Sequence, residues 1–257
     1  MKSLIRWSAT LGLVGTTVLG SWLGQALALP QQEILQKLGP VPVFTIADPQ
    51  GAPLVASGED DAKVAGVFIS QSDAESFVEK LKGENPTLAN QVRVVTVSLG
   101  EVYELAQEIE SKGNDLVFQF VPMQQQVQSA ETLLRQNNPE FKEFKGVPLF
   151  FATVIKDNQE GYLYYQQQTE NGTQKKIPLF FEKEPLLQMV EKFKSQQPDM
   201  ASQVQTKIKV ASLEVIIAAF QNKDAEDLSQ MVLVPSRESS EIVKKALQQQ
   251  RQQSQQR

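Results

Sequence analysis

The chain has 257 residues, with 25 Lys and Arg against 30 Asp and Glu, and contains neither cysteine nor histidine. Those two absences exclude disulfides, thiolate nucleophiles, imidazole general bases and the commonest metal ligands. The acidic balance, with its basic residues scattered, excludes a binder of nucleic-acid phosphates.

Lys2 and Arg6 precede an uncharged apolar run from Trp7 to Leu23, and Ala26-Leu27-Ala28 puts small residues at both cleavage-determining positions. Residues 1–28 therefore read as a secretory signal peptide, because the run is too short and too interrupted by Gly, Ser and Thr for an anchor. No later apolar run is long enough to span a bilayer, so an exported, soluble mature chain is expected.

Residues 31–38 carry Ile34, Leu35 and Leu38 at helical spacing, and Gly39-Pro40 stops the helix. Val41 to Ile46 reads as a strand followed by the turn Asp48-Pro49-Gln50-Gly51, and Val67-Phe68-Ile69 as a strand covered on both faces. Ser72-Asp73-Ala74-Glu75 has capping-box spacing, and Ala74, Phe77, Val78 and Leu81 then form one apolar stripe. Strands at 92–97 and 116–121, and helices at 99–112 and 127–135, complete a first half.

Gly146-Val147-Pro148-Leu149-Phe150-Phe151-Ala152 restarts the pattern of Val41-Pro42-Val43-Phe44. A constant offset lays Gly66-Val67-Phe68-Ile69 on Pro178-Leu179-Phe180-Phe181, and the stripe of Phe77 and its neighbours on Leu186, Met189, Val190 and Phe193. Further elements follow at 147–155, 177–181, 186–194, 208–210, 213–220, 231–234 and 239–247. Alternating strands and helices with an internal repeat predict an α/β fold of two similar units, 29–146 and 147–247, related by a pseudo-twofold axis. The second half is longer between Phe151 and Ile177, where Tyr162-Leu163-Tyr164-Tyr165 and Asn171-Gly172 read as a hairpin and its turn. Residues 248–257 hold only Gln, Arg and Ser and are expected as a disordered tail or frayed helix.

Chemistry is sparse. There is no phosphate loop, no nucleophile elbow and no acidic calcium loop. Glu182 and Glu184 end an apolar strand, yet they read more simply as partners of a helix N-terminus and as solvated charge. No catalytic residue, metal site or cofactor is expected. The paired aromatics Phe150-Phe151 and Phe180-Phe181 load both faces of a sheet. If helices leave one face open, these four line a client-binding groove for extended or unfolded segments.

Together Val41-Pro42-Val43-Phe44, Gly66-Val67-Phe68-Ile69-Ser70, Val97-Ser98-Leu99-Gly100-Glu101-Val102-Tyr103, Phe120-Val121-Pro122, Gly146-Val147-Pro148-Leu149-Phe150 and Pro178-Leu179-Phe180-Phe181 resemble the Tic twenty-two-kilodalton family. These are subunits of the translocon at the inner envelope membrane of chloroplasts. The short leader is similar to that of the cyanobacterial periplasmic branch. The resemblance implies a non-enzymatic, chaperone-like factor that escorts unfolded preproteins or outer-membrane proteins during envelope transport and outer-membrane biogenesis. The partner it implies is a barrel-assembly protein with periplasmic repeat domains. The alternative role is a structural or adaptor subunit of an envelope complex, and the alternative address is the thylakoid lumen.

Overall fold

The computed structural model describes residues 29–57, 63–169, 172–222 and 226–255. The expected signal peptide, the Asn171 half of the expected turn and the last two residues of the tail lie outside them.

From the N-terminus run helix α1 (Gln31–Leu38), strands β1 (Pro42–Ala47), β2 (Val55–Ser57) and β3 (Lys63–Phe68), and helices α2 (Gln71–Glu84) and α3 (Pro86–Ala89). Strand β4 (Arg93–Ser98), helix α4 (Leu99–Ser111), strand β5 (Leu116–Val121) and helix α5 (Gln124–Asn137) follow. Next come β6 (Pro148–Lys156), β7 (Gln159–Tyr162), β8 (Tyr165–Thr169), β9 (Gly172–Phe180), α6 (Lys183–Gln196) and α7 (Pro198–Ala201). The chain continues with β10 (Gln205–Ser212), α8 (Leu213–Asn222), α9 (Glu226–Gln230), β11 (Met231–Val234) and α10 (Arg237–Gln255).

Two mixed sheets form. One runs β4-β1-β3-β5 with β2 also on β3, and the other β10-β6-β9-β11 with β7 on β6 and β8 on β9. In each, the first two pairings are antiparallel and the last is parallel. The same bonds fasten both. Leu99 N–H donates to Val41 O at 2.7 Å and Leu213 N–H to Val147 O at 2.8 Å. Ile69 N–H donates to Val121 O, and Phe181 N–H to Val234 O, each at 3.2 Å.

The chain divides into two compact units whose limits differ from a cut at 146/147. The first combines residues 32–127 with those from 235 onward, and the second holds 128–234 together with the described residues 29–31. Most of α5 thus belongs with the second sheet, and α10 with the first. Ala130 and Leu133 of α5 join Phe150, Ala152, Val154, Phe180, Leu186, Val190 and Phe193 in the second core. Ile242 of α10 packs on Phe44, Ile46, Phe68 and Ala74 in the first.

Helix α2 starts earlier than the sequence suggests. Its cap is Ser70, whose Oγ accepts from Asp73 N–H at 3.2 Å, while Ser72 Oγ lies 2.7 Å from Ser70 Oγ. The Glu238 carboxylate of α10 accepts from Gln71 N–H at 3.1 Å and Ser72 N–H at 3.0 Å. A carboxylate from the far end of the chain thereby satisfies amides that a local cap would otherwise take. A reciprocal capping box does exist, at Ser98 and Glu101 on α4.

Of the two states expected for the polar stretch from Gln248, the structure has the helical one, which runs to Gln255. Gln and Arg are good helix formers, so a helix already started by the packed first turns of α10 propagates through them at little cost.

Candidate functional site

Strand β6 sends Phe150 into the second core, where it stands opposite Phe180 on β9. Phe150 is fully buried, Phe180 is 7% exposed and Phe181 is 1% exposed. Three of the four expected groove residues therefore have no surface to offer a client in this conformation. The reason is cover on both faces. Helix α6 closes the Phe150 face, α8 packs against β10 and α9 against β9, and Leu149 and Leu179 on the opposite face are fully buried as well. Phe151 alone keeps partial exposure; its ring centroid lies 5.8 Å from that of Tyr162, and its cross-strand neighbour is Lys209.

Around Tyr162 a polar clasp holds β7 to its neighbours. Glu160 accepts from Thr153 Oγ1 at 2.7 Å and pairs with Lys209 at 3.2 Å, and these contacts hold its carboxyl below the usual range. The bend into β7 is a two-residue turn with Asp157 and Asn158 at φ 51° and 63°. Both residue types tolerate the left-handed region that such a turn demands. The β8–β9 hairpin brings Thr169 opposite Gly172, whose φ is 108°.

This longer segment builds a pocket on α6. Leu163, Tyr164 and Tyr165 face Met189, Lys192, Phe193 and Gln196 around a space of about 330 Å³, its open mouth included. The Lys175 ammonium sits 5.2 Å from the Tyr164 ring centroid, and burial raises the phenol pKa of Tyr164 and Tyr165. The walls are largely aromatic and aliphatic with one thioether, and Leu163 and Tyr164 are themselves buried, so the space is a shallow seam between the hairpin and α6.

In the first unit the segment between β1 and β3 contributes, among the described residues, β2, which pairs antiparallel with β3. Helix α2 packs on β1, β3 and β4, and Phe77, which the sequence offset lays on Met189, is 44% exposed. Its ring lies 5.7 Å from that of Phe68 at 58°. Phe68 itself folds back over Gly66, where an added Cβ would come within 3.2 Å of the ring. Because Phe68 and Val121 share this core face, the alternation of β5 puts Val117 and Gln119 on it too. Val117 is 54% exposed. Phe77 on α2 and Val117 on β5 are thus two exposed apolar residues on this side of the sheet, with the exposed Gln119 between Val117 and Val121. Sequence periodicity assigns Phe77 to a buried stripe. The signal that points to its exposure is the uncharged run from Leu116 to Val121, which lacks the lysine or proline that usually guards an edge.

Glu182 occupies the N-cap position of α6 and Glu184 its first turn. Among the described residues no three or more His, Cys, Asp or Glu side chains gather to hold a metal ion, and no helix is long and apolar enough to cross a membrane.

A TIC 22 protein of Arabidopsis thaliana, a chloroplast protein, is 24% identical over 185 residues, covering 72% of this chain and 60% of that protein. The solved structure of an Anabaena Tic22, a protein-transport protein, superposes with a TM-score of 0.71 at 27% identity, covering 84% of this chain and 97% of its own. A Tic22 from Plasmodium falciparum superposes at 0.62 with 26% identity, covering 83% and 96%. The Tic22-like family model matches residues 4–245, nearly the whole sequence, and the chain belongs to that family.

Proposed function

We propose that this protein is a non-enzymatic transport factor that holds unfolded segments of outer-membrane proteins or preproteins in an aqueous envelope compartment. The periplasm is the compartment that the leader-like residues 1–28 favour, and the recipient in this reading is a barrel-assembly protein with periplasmic repeat domains. The observation that carries it is the exposure of Phe77 and Val117 on the same side of the first sheet, on a chain of net acidic charge. Exposed aromatic and aliphatic surface gains by burial against a client, while the surrounding charge keeps the free protein dispersed. Burying one Phe is worth roughly 1.5–3 kcal/mol, so two or three such contacts contribute about 3–9 kcal/mol before ordering costs, which suits weak, reversible holding. The two units are read as copies of one ancestral unit, on the strength of their matching strand order and matching fastening bonds.

The test is aggregation of a denatured β-barrel protein, followed by light scattering. Phe77→Ser with Val117→Ser should lower the holding capacity severalfold while the melting temperature stays within a few degrees. Equal holding by the stable double variant overturns the assignment of the site. A wild-type protein that leaves scattering unchanged overturns the escort reading itself, in favour of an adaptor.

A further inference from the structure

Strand β5 is an edge. Among the described residues it pairs with β3 alone, in parallel, and the register runs Lys63↔Leu116 to Phe68↔Val121. Lys63 N–H donates to Asp115 O and Ile69 N–H to Val121 O, so the odd-numbered residues of β5 turn their backbone groups toward β3. Residues alternate along a strand, and Leu116, Phe118 and Phe120 therefore turn theirs outward. Asn114 Oδ1 takes the Leu116 N–H at 3.3 Å. The backbone N–H and C=O groups of Phe118 and Phe120 face away from the sheet.

Six residues of this edge, Leu116-Val117-Phe118-Gln119-Phe120-Val121, carry no charge, no glycine and no proline. The corresponding edge of the other sheet, β11, has only four residues, of which Met231 and Leu233 are buried, and the opposite edge, β10, carries Lys207 and Lys209. Natural edges are blunted by shortness or by lysine, and β5 has neither guard. Beside it, α4 packs against β5; Glu101 is engaged in the cap and Glu108 is paired with Lys112 at the helix end, while Glu104 and Glu110 are exposed and leave α4 acidic.

We propose that the β5 edge takes up an extended client strand by main-chain pairing. The incoming strand bonds to Phe118 and Phe120, sets alternate apolar side chains against Val117 and Phe77, is uncharged at its centre and basic at its ends. Open, evenly directed backbone groups fit an extended chain and not a helix, whose own groups are internally bonded. The uncharged run would leave a client charge opposite it desolvated without a partner, and the glutamates of α4 select basic flanks. This mode rests on the escort reading and names its substrate class, the alternating strand segments of β-barrel proteins.

The experiment uses the full chain and a labelled ten-residue peptide of alternating Val and Thr with Lys at both ends, binding being read by fluorescence anisotropy. N-methylation of the alternate peptide residues that face the edge should weaken binding about tenfold, because each methyl removes a bond that a buried acceptor needs. N-methylation of the other alternate set should leave it unchanged, and replacing the terminal Lys by Glu should weaken it. Because the chain has no native cysteine, Gln119→Cys gives a single cross-linking position, and its yield with single-cysteine peptides should alternate along the peptide. Equal binding of the two methylated sets overturns edge pairing, as does a Gln119→Cys protein that forms its disulfide with a second copy in preference to the peptide. If denatured barrel protein is still held in solution in that case, the escort reading stands without this mode; if it is not, both fall.

Discussion

Helices α2 and α6 carry apolar residues at the same spacing, yet α6 buries Leu186, Val190 and Phe193 whereas α2 buries only Ala74. Their sheets share strand order and sense, so the difference comes from what lies over the helix. On α6 the segment between β6 and β9 brings Leu163, Tyr164 and Tyr165 against Met189 and Phe193. On the first sheet the described residues of the matching segment supply Leu54 to the core and the exposed three-residue strand β2. Periodicity decides which helix face turns toward a sheet, and the partner that arrives from elsewhere decides how deeply it is buried.

The contrast breaks most readily at Phe193 and its counterpart Leu81. Phe193→Ala should cost about 3–5 kcal/mol, as for a fully buried aromatic, while the half-buried Leu81→Ala should cost about 1–2 kcal/mol. Denaturant unfolding of both variants measures the gap, and equal losses would mean that α2 is as deeply packed as α6.

Next in size is Gly146. Its φ is 87°, and an added Cβ would collide with the Glu214 carboxylate, which accepts from Val147 N–H at 3.2 and 3.3 Å. Gly146→Ala should cost about 2–3 kcal/mol through backbone strain and the lost bond. Gly113, at φ 65° with nothing within 4 Å, gives the comparison, and Gly113→Ala should cost about 1 kcal/mol from the backbone alone. Melting curves of the two proteins separate close approach from conformation.

Glu238→Gln tests the carboxylate that α2 has at its N-terminus. The loss should be about 1 kcal/mol and should shrink in high salt, since a charge near a helix end is screened. A salt-independent loss would assign the effect to packing.

Smallest is Asp73. Burial, and then the nearby Glu238 charge, raise its pKa above the ordinary carboxylate value. A raised folded-state pKa means that Asp73's contribution is fully present below its unfolded pKa and is lost as pH rises through the folded one. Asp73→Asn should therefore stabilise by a few tenths of a kcal/mol at neutral pH and make no difference below about pH 3. Thermal melts of both proteins across that range show whether the difference closes as the pH falls.

Much of the architecture was legible because its signals are local. Val92 to Val97 is β-branched, Gly113 ends α4, and Met231 to Val234 is a strand with the limits the sequence predicts. The cap of α2 was not legible, because Glu238 lies 166 residues from Ser72 in sequence. The aromatics were misjudged for a related reason. Alternation correctly puts Phe150 and Phe151 on opposite faces, but only the packed helices reveal that Phe150, Phe180 and Phe181 are enclosed while Phe77 is not. Repeat matching likewise aligns α5 with α10 without saying which sheet each helix joins.

That exchange bears on how the chain is made. A polypeptide emerging from the ribosome presents Phe44, Ile46, Phe68 and Ala74 early, but Ile242, which packs on them, is among its last residues. Ser239, whose hydroxyl donates to Pro42 O at 3.4 Å, arrives equally late. Nascent fragments ending before Ser236 should accordingly remain protease-sensitive through β1 and α2, with native protection appearing only after α10 has been released. Completion of the first unit thus waits for α10, while the residues of the second sheet are all available before it.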